Sequence, residues 1–143
     1  MLYFAYGSNM NLSQMKDRCP YARFLKRGFI KKYKFVYDGY SSTRRGAAGN
    51  IILSEDSMVW GALFEITEKC LLKLDEREGY PLVYDRQEFE VLDDNGERCM
   101  AIVYFRVGKT IGKPSKDYEG VILQGAKDCG LPEDYVNEFL RVF

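Results

Sequence analysis

The chain has 143 residues, 46% of them hydrophobic and 15% aromatic, with 21 Lys plus Arg against 21 Asp plus Glu and no histidine. That length favours one domain with one core, here 1–143, and the balanced charge leaves little long-range attraction to nucleic acid or anionic lipid. The missing histidine excludes Ser-His-Asp and Cys-His catalysis and His-ligated metal centres.

Leu2 to Tyr6 reads as a short buried strand that runs directly into Gly7-Ser8-Asn9. The N-terminus lacks a basic n-region, and its apolar run is too short for a signal peptide. No apolar run approaches the ~20 residues that a membrane span needs. Arg23 to Tyr37 is β-prone and is expected to break near Gly28. Within it, "KRGFIKKYKF" is basic with interleaved aromatics, and a strand with a solvated Lys side is the simpler reading than a nucleic-acid face. "DGYSSTRRGAAGN" (38–50), rich in Gly, Ser and Arg, reads as a loop. "NIIL" and "MVWGALFEI" read as two further strands, with Gly61 at a bulge or a close approach.

Thr67 is placed as the N-cap of a helix over "EKCLLKLDERE", which Gly79 stops and Pro81 forbids to resume. "YDRQEFEVL" and "ERCMAIVYF" are two strands joined through Asn95-Gly96, a strong hairpin signal. Ser115 caps a second helix that ends at Gly130, and Pro132 opens a last one through Leu140. Strands, helix, hairpin and helices in that order are not a repeating βαβ pattern. The expected class is α+β, a small mixed β-barrel of about six strands with flanking helices. Cys19, Cys70, Cys99 and Cys129 are widely spaced without a C-x-x-C pair. This argues against a zinc site and leads us to expect four reduced cysteines in a cytoplasmic protein.

Two stretches carry chemistry. A strand that ends in Gly-Ser-Asn leaves backbone N–H groups without ladder partners, and glycine there permits close approach and unusual φ. Such a loop can cradle an anion or a developing oxyanion, and its alternative is a tight turn held by the Ser and Asn side chains. "LDEREGY" packs Asp75, Glu76 and Glu78 into four residues. Leu71, Leu74 and Glu78 follow an i, i+3, i+7 stripe, which would press the Glu78 carboxylate against apolar and aromatic surface. Desolvation raises a carboxyl pKa, and in a chain without histidine such a Glu suits acid/base work near neutral pH.

"FAYGSNM", "VWGALFEI", "LDEREGYPLVYDR" and "PSKDYEGVILQGAKDCGLP" stand in the order found in the γ-glutamylcyclotransferase family, which the chain resembles over nearly its whole length. The resemblance implies a small barrel that cleaves γ-glutamyl compounds, releasing 5-oxoproline and the amine part, with no cofactor and no metal. It implies that the backbone of Tyr6, Gly7, Ser8 and Asn9 binds the glutamyl end. It implies that Glu78 is the acid/base, that Tyr118 lines the pocket, and that Tyr84 lies near another pocket tyrosine, where spacing varies among members. "EGYPLVY" is nearer to the bacterial and plant branch than to the animal glutathione-degrading form. The leaving group therefore stays open between an amino acid, a simple amine and a pathway intermediate from which a γ-glutamyl protecting group is removed by the same cyclisation, and a catalytically silent binding module of the same fold is the rival of another class. The expected partner is a small γ-glutamyl molecule, with no nucleic acid and no membrane, and the expected state is a monomer or homodimer. Arg44 and Arg45 read as a solvated loop pair, with a hold on a substrate carboxylate as the alternative.

Overall fold

In the computed structural model, which describes residues 1–143, the apolar run Leu2–Ala5 forms β1. It pairs antiparallel with β3 (Gly46–Glu65) and touches β5 (Arg98–Phe105) in parallel at Tyr3 and Ile102. That contact closes a barrel in the order β1-β3-β2-β4-β5, with β2 over Arg23–Ser41 and β4 over Asp85–Leu92. Five strands stand where about six were expected, because "NIIL" and "MVWGALFEI" belong to one strand of 20 residues.

The hairpin of β2 and β3 is the largest element of the molecule. β2 does not break at Gly28, where Phe29 next to it pairs with Leu92 of β4. A Cβ on Gly28 would lie 2.8 Å from Val91 Cγ1, so glycine here serves a close crossing of strands. The irregularity falls later, between Lys31 and Tyr33, where Lys32 takes a φ of 69°. The inward parity of the strand switches where Lys32 alone stands opposite 54–57 of β3: Gly28 and Ile30 are buried before it, and Phe35 and Tyr37 after it. Most of 38–50, expected as a loop, is ladder, and only 42–45 turn, with Arg45 at φ 60°. Composition misled because glycines and small residues also occur where strands bulge or approach closely.

Helix α1 (Leu12–Arg18), which the sequence reading passed over, starts at Asn11, whose Oδ1 accepts from Gln14 N at 3.0 Å. Helix α2 (Glu68–Glu78) starts at Thr67, which accepts from Cys70 N, and stops at Gly79 with φ 67°. Helix α3 (Lys116–Asp128) is capped by Ser115, and α4 (Glu133–Tyr135) passes into a π-helical turn over Val136–Leu140. The hairpin expected at Asn95-Gly96 joins β4 and β5, with Asp93 Oδ1 accepting from the N–H groups of Asn95 and Glu97. No helix is long and apolar enough to cross a membrane.

The expectation of four reduced cysteines is corrected. Cys19 and Cys70 are joined by a disulfide with Cα atoms 5.4 Å apart, and Cys99 and Cys129 are free. The bond ties the end of α1 to the first turn of α2 across 51 residues of sequence. Spacing carries no information about such a pairing, which only the packing of the two helices brings about.

Helix α3 seats on the segment that leaves β1. A Cβ on Gly125 would collide with Asn11 N and with Met10 C and Cβ. Gly125→Ala is therefore expected to destabilise the protein by about 1–3 kcal/mol, read as a lower midpoint in urea at unchanged slope. An unchanged midpoint would mean that α3 does not press on this turn.

Candidate active site

β1 ends at Ala5, and the chain then folds into a 3-10 turn over Ser8–Met10. Met10 N–H donates to Gly7 O at 3.0 Å, while no acceptor in the chain takes the Gly7 N–H. Ser8 and Asn9 open a helical turn, and N–H groups there have no intrahelical acceptor. The side chains of this turn are committed elsewhere. Asn9 Nδ2 donates to Tyr3 Oη at 3.0 Å, and Asn9 Oδ1 accepts from Arg18 Nη1 at 2.7 Å and Gln14 Nε2 at 3.1 Å. Ser8 Oγ accepts from Gln14 Nε2 at 2.9 Å. The side chains hold the turn, and its backbone edges a cavity.

Gly7 does not have the positive φ that the sequence reading allowed for. Its φ is −125°, within the ordinary range of any residue. What it offers is room: a Cβ there would meet no protein atom within 4 Å, and Gly7 lines an inner pocket of about 50 Å³. Tyr6, Ser8, Asn9, Glu78, Tyr84 and Tyr118 line the same pocket, so the seven residues that the resemblance implies lie on one cavity. The pocket adjoins an outer cleft of about 300 Å³, with Ser8, Glu78, Tyr84 and Tyr118 shared between them.

The three carboxylates of "LDEREGY" have separate fates. Asp75 accepts from Arg86 at 2.8 Å and from Tyr104 Oη at 2.7 Å, so it is spent on the barrel wall. Glu76 is exposed at the rim of the outer cleft. Glu78, the last residue of α2, is half-buried, with no hydrogen bond and no ion pair to any residue of the chain. Burial pushes its carboxyl up to about 6, against the opposing pull of Arg18, Arg44 and Arg106. The negative end of the helix dipole acts in the same direction as burial.

The tyrosines form a wall pinned to one backbone unit. Tyr84 Oη donates to Gly49 O at 2.7 Å, and Gly49 N donates to Tyr118 Oη at 3.0 Å. Tyr6 Oη donates to Tyr104 O at 2.7 Å. Burial raises the hydroxyls of Tyr3, Tyr6, Tyr84 and Tyr118 above their ordinary range, so they remain neutral. No group of three or more Cys, Asp or Glu converges as metal ligands would.

The structure also brings in residues beyond those that the resemblance implies. Arg44 is not a solvated loop residue: its guanidinium lies 4.9 Å over the Tyr118 ring and donates to Gln14 Oε1 at 3.1 Å. Arg45 beside it is exposed. Arg18 reaches the turn from α1, and Gln14 links Ser8, Asn9 and Arg44. An Asn-x-x-Gln start in "NLSQMKDR" was the available signal for the helix that presents both Gln14 and Arg18.

The raised Glu78 carboxyl has a consequence for stability. A carboxyl held above its ordinary value of 4.5 favours the folded state most below that pH, and the contribution is lost as pH rises through about 6. Glu78→Gln is therefore expected to melt higher than the wild type at neutral pH. The gain is on the order of 1 kcal/mol after allowance for partial exposure, or a few degrees. The gap should close on acidification below the ordinary carboxyl value. Thermal melts of both proteins across this range check it, and an offset constant with pH would contradict the electrostatic origin.

Comparison with known proteins shows the family. Residues 58–139 match the AIG2-like family. Gamma-glutamylcyclotransferases of Mus musculus and Homo sapiens are each 31% identical over 139 residues, 94% of this chain and 74% of each relative. A solved structure described as gamma-glutamyl cyclotransferase superposes with a TM-score of 0.92 at 29% identity, over 96% of this chain and 85% of that one. The chain belongs to the AIG2-like family and is an enzyme of the cyclotransferase type.

Proposed function

We propose that this enzyme cleaves a γ-glutamyl amide by attack of the substrate's own α-amine on its γ-carbonyl, releasing 5-oxoproline and an amine or amino acid. The observation that carries the reading is Glu78, an unpartnered carboxylate with its pKa raised to about 6, on the same small tyrosine-walled pocket as the Gly7–Asn9 backbone. Likeness to gamma-glutamylcyclotransferases over 94% of the chain supports it.

The chemistry asks little of the protein beyond shape and one proton carrier. The nucleophile is tethered to its electrophile, and well-oriented intramolecular attack reaches effective molarities of roughly 10⁵ M or more. The ionised Glu78 takes a proton from the α-ammonium. The freed amine forms the new C–N bond, and the γ-carbonyl oxygen becomes an oxyanion facing the N–H groups of the turn. Glu78 then returns the proton to the amide nitrogen as the oxyanion collapses and the old C–N bond breaks, and it takes the second proton that the ring nitrogen, cationic after the attack, must shed, which departs with the amine as its ammonium. The tyrosine wall keeps out water that would compete as nucleophile.

The test is a panel of γ-glutamyl amino acids and γ-glutamylamines assayed for 5-oxoproline, and a chain that releases it from none of them is not this enzyme. Glu78→Gln is expected to lose ~10² or more in turnover, the scale of a positioned acid/base. For the wild type, kcat/KM should rise with pH through about 6 as Glu78 ionises. A Gln variant near wild-type rate would remove Glu78 from this role.

Gly7→Val separates the turn's chemistry from its architecture. The Cβ meets no protein atom within 4 Å, so the fold is expected to hold, and a melting temperature close to that of the wild type checks it. The methyls would occupy the space next to the donors, and loss of one oxyanion donor costs ~3 kcal/mol, so kcat should fall by at least ~10². A well-folded and active Gly7→Val protein would make this segment a structural turn only.

A further inference from the structure

The outer cleft holds more positive charge than the fold uses. Arg18, Arg44 and Arg77 line it, together with Glu76 and Glu78. None of the three arginines has a carboxylate within 4.0 Å, whereas Arg23, Arg27, Arg86, Arg98 and Arg106 are in ion pairs and the remaining two, Arg45 and Arg141, are exposed. Arg18 Nε is buried with no hydrogen-bond partner. Arg44 is held by neutral groups alone: Gln14 Oε1 at 3.1 Å, Ser8 Oγ at 3.4 Å and the face of Tyr118. A half-buried guanidinium with no carboxylate of its own chain within 4.0 Å is a fork set for an external carboxylate.

Position selects which carboxylate. Arg18 and Arg44 line the outer cleft and not the inner pocket, while Glu78 and Ser8 border both. With the glutamyl end in the inner pocket, the group beyond the scissile amide lies in the outer cleft. In a γ-glutamyl amino acid the second carboxylate sits one carbon from the leaving nitrogen, close to the junction of the two spaces. A simple amine brings no anion there, and a cationic one meets like charge.

We propose that Arg44, assisted by Arg18, binds the α-carboxylate of the leaving amino acid, so that this enzyme selects γ-glutamyl amino acids over γ-glutamylamines. The assignment rests on the cyclisation reading above and adds the substrate class to it. Arg44 touches the part of the substrate that leaves and takes no part in proton transfer.

The experiment compares γ-glutamylalanine with γ-glutamylethylamide, which lacks only the second carboxylate. For the wild type the ratio of their kcat/KM values should be at least ~10 in favour of the acid, because a site built for a charged group rejects the analogue without it. Arg44→Gln should bring the ratio down by ~10-fold, chiefly through the KM of the acid. Arg44→Lys should fall between, and Arg45→Gln, an exposed neighbour of equal charge, should keep the wild-type ratio. Both ligands still carry the glutamyl carboxylate. An equal loss on both in Arg44→Gln would mean that Arg44 serves that group or the fold, and would overturn the assignment, as would an unchanged ratio. Calorimetry on Glu78→Gln with and without Arg44→Gln reads the same preference as binding, without turnover. Absence of 5-oxoproline from the wild type with either ligand would sink the cyclisation reading by itself. Failure of γ-glutamylalanine to bind the Glu78→Gln protein more tightly than the ethylamide would sink the carboxylate site.

Discussion

Asp38 has no exposure to solvent, and a carboxylate in such a place stays charged only if donors converge on it. Three do: the Arg106 guanidinium in an ion pair, Lys109 N at 2.9 Å and Asn50 Nδ2 at 3.1 Å. Asn50 closes the loop, since its Oδ1 accepts from Arg106 N and its Nδ2 also donates to Arg106 O. Removing one side of a buried pair costs about 3–5 kcal/mol, so the segment after β5 is bound to the far end of the β2–β3 hairpin. Arg106 then lies 4.9 Å over Tyr84, whose hydroxyl grips Gly49 O. The wall of the pocket thus descends from one buried charge.

Outside the site the buried polar groups are paired, apart from the Tyr135 hydroxyl. Around the barrel, Asp75 is taken by Arg86 and Tyr104, Asp93 by Lys26 and two backbone N–H groups, and Glu119 by Val142 and Phe143 N–H. At the junction of the inner pocket and the outer cleft the pattern stops. Glu78 carries no hydrogen bond, Arg18 and Arg44 have no acid, and the Gly7 N–H has no acceptor. Unpaired charge and unpaired donors cost stability where they are partly dehydrated, and here they lie within one connected space. Complementarity between that set and a zwitterionic amide with two carboxylates is the physical content of the functional proposal.

The cluster also depends on contacts that neither half of the chain could make by itself. Gln14 on α1 links Ser8 and Asn9 to Arg44 from the β2–β3 turn, and the disulfide fixes the end of α1 to α2, the helix that delivers Glu78. Gly125 of α3 leaves the space in which Met10 and Asn11 sit, so a helix over a hundred residues away sets the depth of the turn.

Local rules sufficed for much of this. Thr67 and Ser115 as caps, Gly79 as a stop and Asn95-Gly96 as a hairpin depend on neighbours a few residues away, and each stands where the sequence puts it. The stripe of Leu71, Leu74 and Glu78 likewise placed Glu78 on the inner side of α2, because helical spacing is a local property, whereas the turn of Asp75 onto Arg86 and Tyr104 needed the barrel wall. Other features were not written locally. A strand that crosses the barrel with its parity switched at Lys32 looks, residue by residue, like two strands with a loop. The bond between Cys19 and Cys70 and the burial of Asp38 arise only when distant segments meet. The same holds for Arg44: its neighbours Thr43 and Arg45 are polar and exposed, and only the docking of α3 brings Tyr118 under it. Chain order and spacing determined the elements and the candidate acid; long-range packing, which alone sets burial and charge pairing, decided which polar groups were left free to act.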